Sequence, residues 1–153
     1  MLNIGFRVAP EKVHFAIHDV ERNVILNVET LSVPKALIVP EKLKYVRNSV
    51  LDILFEYHIC NAVIKLPEFN SKGTPNERRL QIEAVIQEAF ASSELAKYAV
   101  VHISNLAPLL GEPRERIKQI RDTATEYEID PDWSKRSTEC REAILCAVGA
   151  KNV

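Results

Sequence analysis

At 153 residues and 17.3 kDa the chain has the size of one ordinary domain, and its 46% hydrophobic and 27% charged residues exclude a disordered or low-complexity polymer. Lys and Arg number 20 against 21 Asp and Glu, a net charge of −1, and the balance is local as well. Residues 1–60 carry seven basic and seven acidic groups, 61–110 five and five, and 111–153 eight and nine, so no segment shows the basic excess of a protein that holds nucleic acid by bulk charge.

Along the chain, Leu2, Ile4, Phe6 and Val8 alternate over residues 2–9, the period of a half-buried strand. Val13, Phe15 and Ile17 repeat the pattern, residues 19–23 supply turn chemistry, and Val24, Leu26 and Val28 carry a third strand, which together predict an antiparallel meander. After Pro34 the period changes. Pro40 suits a first helical residue, and Leu43, Val46, Val50, Ile53, Leu54 and Tyr57 recur at helical spacing, so a helix is expected over 40–58. Residues 61–66 (NAVIKL) read as a buried strand and 67–76 (PEFNSKGTPN) as a loop. Thr74 as N-cap, Pro75 at the first position and Glu77 in a capping box predict a helix over 75–92, with Ile82, Val85, Ile86, Ala89 and Phe90 as its stripe. Residues 98–103 (YAVVHI) read as a fifth strand. A short helix follows over 105–110, stopped by Gly111, then a charged helix over 113–123 and an irregular stretch over 124–137. Ser137 caps a last helix bearing Cys140, Ala143, Ile144, Ala147 and Val148 on one face, with Gly149 at its end. The order β-β-β-α-β-α-β-α predicts one α/β domain over 1–153, a mixed five-stranded sheet with helices on both faces.

No apolar run approaches the roughly 18 residues that span a bilayer, and residues 1–10 lack the apolar core and cleavage site of a signal peptide. Cys60, Cys140 and Cys146 are odd in number and widely spaced, which excludes a disulfide framework and a thiolate zinc site. A cytoplasmic protein whose cysteines act as small buried hydrophobes is expected. His14, His18, His58 and His102 form no ligand or dyad pattern, although His14 and His18 share a strand face. Cys60 and Cys140 lack a neighbouring His or helix N-terminal setting strong enough for either to be read as a nucleophile. Tyr127 and Trp133 are assigned to packing of the irregular stretch rather than to base stacking.

The stretches IGFRVAPEKVHFAI, AVIKLPEF, ERRLQIEAVIQEA, HISNLAPLLGEPRERIK and ECREAILCAV, in that order, resemble the first hairpin, fourth strand, dimer-interface helix, fifth strand with its lysine-bearing helix, and terminal helix of RuvC-type Holliday-junction resolvases, a branch of the ribonuclease H-like superfamily. The resemblance implies a ribonuclease H-like fold. It also implies four carboxylates, from separate elements, holding two divalent ions across a phosphate. Where that family has an acid on the first strand, two residues past a glycine, this chain reads Gly5, Phe6, Arg7. Where it has a glutamate ending the fourth strand, this chain reads Ile64, Lys65, Leu66. Only Glu139 and Glu142, one turn apart on the last helix, conform.

The resemblance therefore implies a pseudo-active site of Arg7, Lys65, Glu139 and Glu142, metal-free, with at least one cation paired to one of the two glutamates. Alone, Glu139 and Glu142 would read as the acids a helix N-terminus favours, and Arg7 and Lys65 as edge charges. Glu68, just beyond Lys65, is the candidate for a substitute ligand, although an ordinary loop residue is the favoured reading. Lys72, Arg78, Arg114 and Lys118 are the candidate phosphate contacts, though interleaved acids also make them an ordinary soluble surface. Three functions follow from the resemblance, in order of preference. The first is a catalytically degenerate subunit of a nucleic-acid-processing assembly, binding branched or duplex nucleic acid, homodimeric through helix 75–92 and without cofactor. The second is a divergent nuclease using Mg²⁺ or Mn²⁺ at Glu139, Glu142 and Glu68. The third is a protein-interaction module that binds no nucleic acid.

Overall fold

The computed structural model describes residues 1–68, 73–123 and 127–153. Three antiparallel strands open the chain: β1 (Leu2–Ala9), β2 (Lys12–Asp19) and β3 (Val24–Ser32). Helix α1 (Val39–Glu56) leads to β4 (Ile59–Lys65), and α2 (Glu77–Ala91) leads to β5 (Lys97–Val101). Helices α3 (Ile103–Leu110), α4 (Arg114–Asp122) and α5 (Thr138–Gly149) complete it. The sheet has five strands in the order β3-β2-β1-β4-β5, with β1 and β4, and β4 and β5, parallel. The expected mixed sheet with helices on both faces is the fold observed.

Alternation along β1 explains the two layers. Ile4, Phe6 and Val8 enter one core with Val46, Val50 and Leu54 of α1 and Ile82, Ile86 and Phe90 of α2. Asn3, Gly5 and Arg7 point the other way, toward α5. There Val63 joins Leu106, Ile117, Trp133, Ala143, Ile144 and Ala147 in a second core. Every residue from Arg141 to Gly149 is buried, because α5 lies between the sheet and the α3–α4 layer. The sequence expectation of a single apolar face understated this. Gly5 sets how close α5 comes: a Cβ there would lie 2.1 Å from the Ala143 carbonyl oxygen and 2.3 Å from the Ala147 nitrogen.

Several boundaries differ from expectation. The N-cap of α2 is Asn76, whose side chain accepts the Arg79 N–H at 2.9 Å, and not Thr74. Asn76 sits next to the apolar stripe and offers the same acceptor chemistry two residues later, leaving Pro75 outside the helix. Gly149 ends α5 as expected, but with a helical φ of −66° and not as a left-handed cap, and the chain runs on into a 3-10 turn over Ala150–Asn152. Its missing side chain admits Leu106 and Leu109, each 3.3 Å from the Cβ position. The Trp133 ring is 1% exposed, lies 4.8 Å from the Tyr127 ring and donates its indole N–H to the Ile120 carbonyl, so it packs and cannot stack on a base. Arg141 ties the irregular segment down by donating to the carbonyls of Trp133, Arg121 and Ser134. Among the described residues no helix is long and apolar enough to cross a membrane.

Candidate functional site

Arg7 and Lys65 are register partners, the last pair between the parallel strands β1 and β4, and both rise on the face that α5 covers. The close approach at Gly5 brings Glu142, in the second turn of α5, down between them. Arg7 Nε donates to Glu142 Oε2 at 2.5 Å, and Lys65 Nζ forms an ion pair with Glu142 Oε1 at 3.2 Å. A third cation, Arg121 at the end of α4, donates to the same Oε1 at 3.2 Å. The side chains of Lys65 and Glu142 are 2% and 5% exposed, so this is a buried charge cluster and not a surface pair.

Donors and acceptors nearly balance, which is what makes burial tolerable. The Lys65 ammonium donates to the Leu66 carbonyl at 3.1 Å and pairs with two carboxylates, Glu68 Oε1 and Glu142 Oε1, each at 3.2 Å. Arg7 also donates to the Val8 carbonyl, and Arg121 to both oxygens of Asp122. Three cations (Arg7, Lys65, Arg121) thus face three carboxylates (Glu142, Glu68, Asp122), a locally neutral group.

Glu68 arrives from the segment after β4 and also accepts the Ile103 backbone N–H at 2.8 Å. Burial pushes its carboxyl up, but the Ile103 amide and the Lys65 ammonium outweigh that and hold it below the ordinary range. A carboxylate depressed in the folded protein stabilises it above the unfolded value, near 4.5, and loses that contribution as pH falls through the folded value. Stability should therefore drop on acidification below about pH 4.5. Glu68→Gln should flatten part of that drop, read as unfolding free energy by denaturant titration at neutral and acid pH. An unchanged pH dependence in the variant would contradict the assignment.

Sequence reasoning missed two members of this neighbourhood. Arg121 falls on the charged helix expected over 113–123, and only the return of α4 against α5 puts it on Glu142. Glu83 of α2 is 2% exposed, and burial pushes its carboxyl up against the opposing pull of Arg79, Arg7, His102 and Lys65. An acid between Ile82 and Ile86, inside an apolar stripe, was the available signal. Glu139, in the first turn of α5, is half-buried and joins no ion pair with a described cation. The structure brings Arg7, Lys65, Glu68 and Glu142 together and leaves Glu139 outside.

The residues present do not suit a divalent metal pair. Two such ions need several uncommitted carboxylate oxygens, whereas both oxygens of Glu142 already accept from cations, and Arg7 and Lys65 would repel an incoming ion. Among the described residues no group of three or more His, Cys, Asp or Glu side chains is arranged to hold a metal.

The candidate phosphate contacts do not form one surface. Arg78, at the start of α2, pairs with Glu11 on the α1–α2 side. Arg114 and Lys118 lie on α4, on the α5 side, where Lys118 pairs with Glu115 at 3.2 Å. Lys72 falls outside the described residues. A groove of about 630 Å³ is lined by Leu51, Phe55, His58 and Leu95 near the ends of α1 and α2 and shares no residue with the charge cluster.

Sheet order, crossovers and the placement of α5 across β1 and β4 define a ribonuclease H-like fold. Within that class it is the fold of RuvC-type Holliday junction resolvases. The chain is similar to Thermus thermophilus RuvC, with a TM-score of 0.70 and 12% identity over 97% of this chain and 92% of that one. The same protein in complex with Holliday junction substrate also gives 0.70 and 12%, over 97% and 91%. The yeast mitochondrial Holliday junction resolvase gives 0.59 and 8%, over 97% and 78%. No family model and no curated protein matches the chain.

Proposed function

We propose that the chain is a catalytically degenerate RuvC-like protein that acts as a nucleic-acid-binding or structural subunit of a nucleic-acid-processing assembly, without a metal cofactor. One observation carries this reading: Glu142, on the helix where the family's chemistry needs metal-holding acids, is engaged by Arg7, Lys65 and Arg121 instead. An ammonium and two guanidiniums supply the positive charge that metal ions would otherwise bring. They cannot activate water or trade ligands with a phosphate during a reaction. Binding is supported by fold alone, through the likeness to a resolvase solved with its junction substrate. We assign homodimerisation to the outer face of α2, where Leu80 is 46% exposed while Ile82, Ile86 and Phe90 face the chain's own core.

A four-way DNA junction titrated with the full chain at several salt concentrations, with Mg²⁺ or Mn²⁺ present, tests the reading. Binding that weakens with salt, DNA that stays intact, and a sedimenting mass of two chains are expected. Metal-dependent cleavage would overturn it in favour of a divergent nuclease using Glu139, Glu142 and Glu68. Failure to bind at low salt would overturn it in favour of a protein-interaction module.

A further inference from the structure

Beside the charge cluster, side chains from three elements converge on one sulfur. Cys140 lies in the first turn of α5, where its N–H donates to the Ser137 N-cap hydroxyl at 3.2 Å. His14 of β2 places Nδ1 3.5 Å from Cys140 Sγ, and the same nitrogen lies 2.8 Å from Thr30 Oγ1 of β3. His14 and Thr30 are register partners on neighbouring strands, so both rise toward α5. The residue opposite His14 on β1 is Arg7, whose guanidinium is committed to Glu142. Cys140 and His14 are 126 positions apart, so no local pattern announces the pair, and the expectation of an isolated Cys140 needs correcting.

The setting is that of a reactive thiol and not of a packing cysteine. The imidazole is buried and oriented by Thr30, whereas the sulfur is half-buried and reachable. The hydrogen bond with His14 is the largest influence on the Cys140 thiol. Burial opposes it, the Ser137 and Thr30 hydroxyls reinforce it, and the thiol is held below its ordinary value. Arg136, just ahead of the cap, is close enough to feel the charge on this sulfur. Partial exposure, positive surroundings and a helix N-terminus are what favour thiolate character. Cys146, six residues on, has the opposite environment: it is fully buried, and burial pushes its thiol up.

We propose that Cys140 is a nucleophilic thiol served by His14, a site of oxidation to sulfenic acid by small hydroperoxides. The thiol proton passes to His14 Nδ1, and the sulfur attacks one peroxide oxygen. The S–O bond forms as the O–O bond breaks. Sulfur loses an electron pair to become sulfenic acid, and the departing oxygen takes the proton from His14 to leave as an alcohol or water. Overall, thiol plus hydroperoxide gives sulfenic acid plus alcohol. Nothing in the step uses metal or nucleic acid, so it stands or falls separately from the function proposed above.

The full chain, treated with iodoacetamide and mapped by mass spectrometry, gives the first test. At neutral pH Cys140 should alkylate about tenfold faster than half-buried Cys60, and His14→Asn should remove about tenfold of that rate while leaving Cys60 unchanged. Hydrogen peroxide followed by dimedone should place the sulfenic-acid adduct on Cys140. Equal rates for Cys140 and Cys60, indifference to His14→Asn, or an adduct on Cys60 alone would overturn the proposal. Should His14→Asn fail to fold, the pH profile of alkylation in the unaltered chain decides. A Cys140 midpoint below that of Cys60 supports the pairing, and coincident midpoints overturn it.

Discussion

Glu142→Gln is expected to lower the unfolding free energy by about 3–5 kcal/mol, the usual loss when one member of a buried ion cluster is removed. The substitution keeps the shape of the side chain, deletes its charge and turns one acceptor oxygen into an N–H donor. Arg7, Lys65 and Arg121 then face a neutral amide, and Lys65, with a side chain 2% exposed, keeps Glu68 as its one carboxylate. For a domain of this length each kcal/mol corresponds to roughly 2–4 °C, so the melting temperature should fall by about 6 °C or more. Lys65→Met should cost less, because Glu142 keeps Arg7 and Arg121. The double variant should be more stable than the sum of the two losses, since each removes charge that the other leaves stranded. Denaturant titration of the four proteins measures this. A loss below about 1 kcal/mol for Glu142→Gln would mean that the cluster is solvated like a surface pair and that its neutrality is incidental.

How far this site was legible in the sequence depends on what holds each member in place. Arg7 and Lys65 stood out because a cation on a strand of otherwise apolar alternation contradicts its local pattern. The two-residue period also fixes the face each one takes. Glu142 followed from the one-turn spacing with Glu139, but spacing along a helix does not say which of two acids meets the sheet. That is decided at Gly5, where a missing Cβ lets α5 settle onto β1 in a single orientation. Glu142 is thereby turned inward and Glu139 is left at the helix start. Arg121 and the Cys140–His14 pair depend on tertiary return across 21 and 126 positions, for which no local period exists. The fold was more legible than the site because alternation and helical stripes recur across whole elements. The N-cap of α2 slipped by two residues because Thr74 and Asn76 offer the same acceptor chemistry.

Gly5→Ala follows from the same contact and tests how much of the site depends on it. The added methyl would lie 2.1 Å from the Ala143 carbonyl oxygen, 2.3 Å from the Ala147 nitrogen and 2.6 Å from the Cys146 Cβ. Two of these are backbone atoms of a helix buried along nearly its whole length, so no side-chain rotation relieves the overlap. The helix has to move off the sheet by about 1 Å or more, giving up close packing against β1, β2 and β4. A loss at or above the upper end of the usual overpacking range, about 3 kcal/mol, is expected in denaturant titration. Cys146→Ala in the same chain should not rescue it, because alanine keeps the Cβ. Lifting α5 also separates Glu142 from Arg7 and opens the fully buried Cys146 thiol to solvent. Iodoacetamide should then label Cys146 in folded Gly5→Ala protein and spare it in the unaltered chain. If stability changes by less than about 1 kcal/mol and Cys146 stays protected, α5 is not seated through Gly5. The placement of Glu142 between the two strand cations would then need another cause.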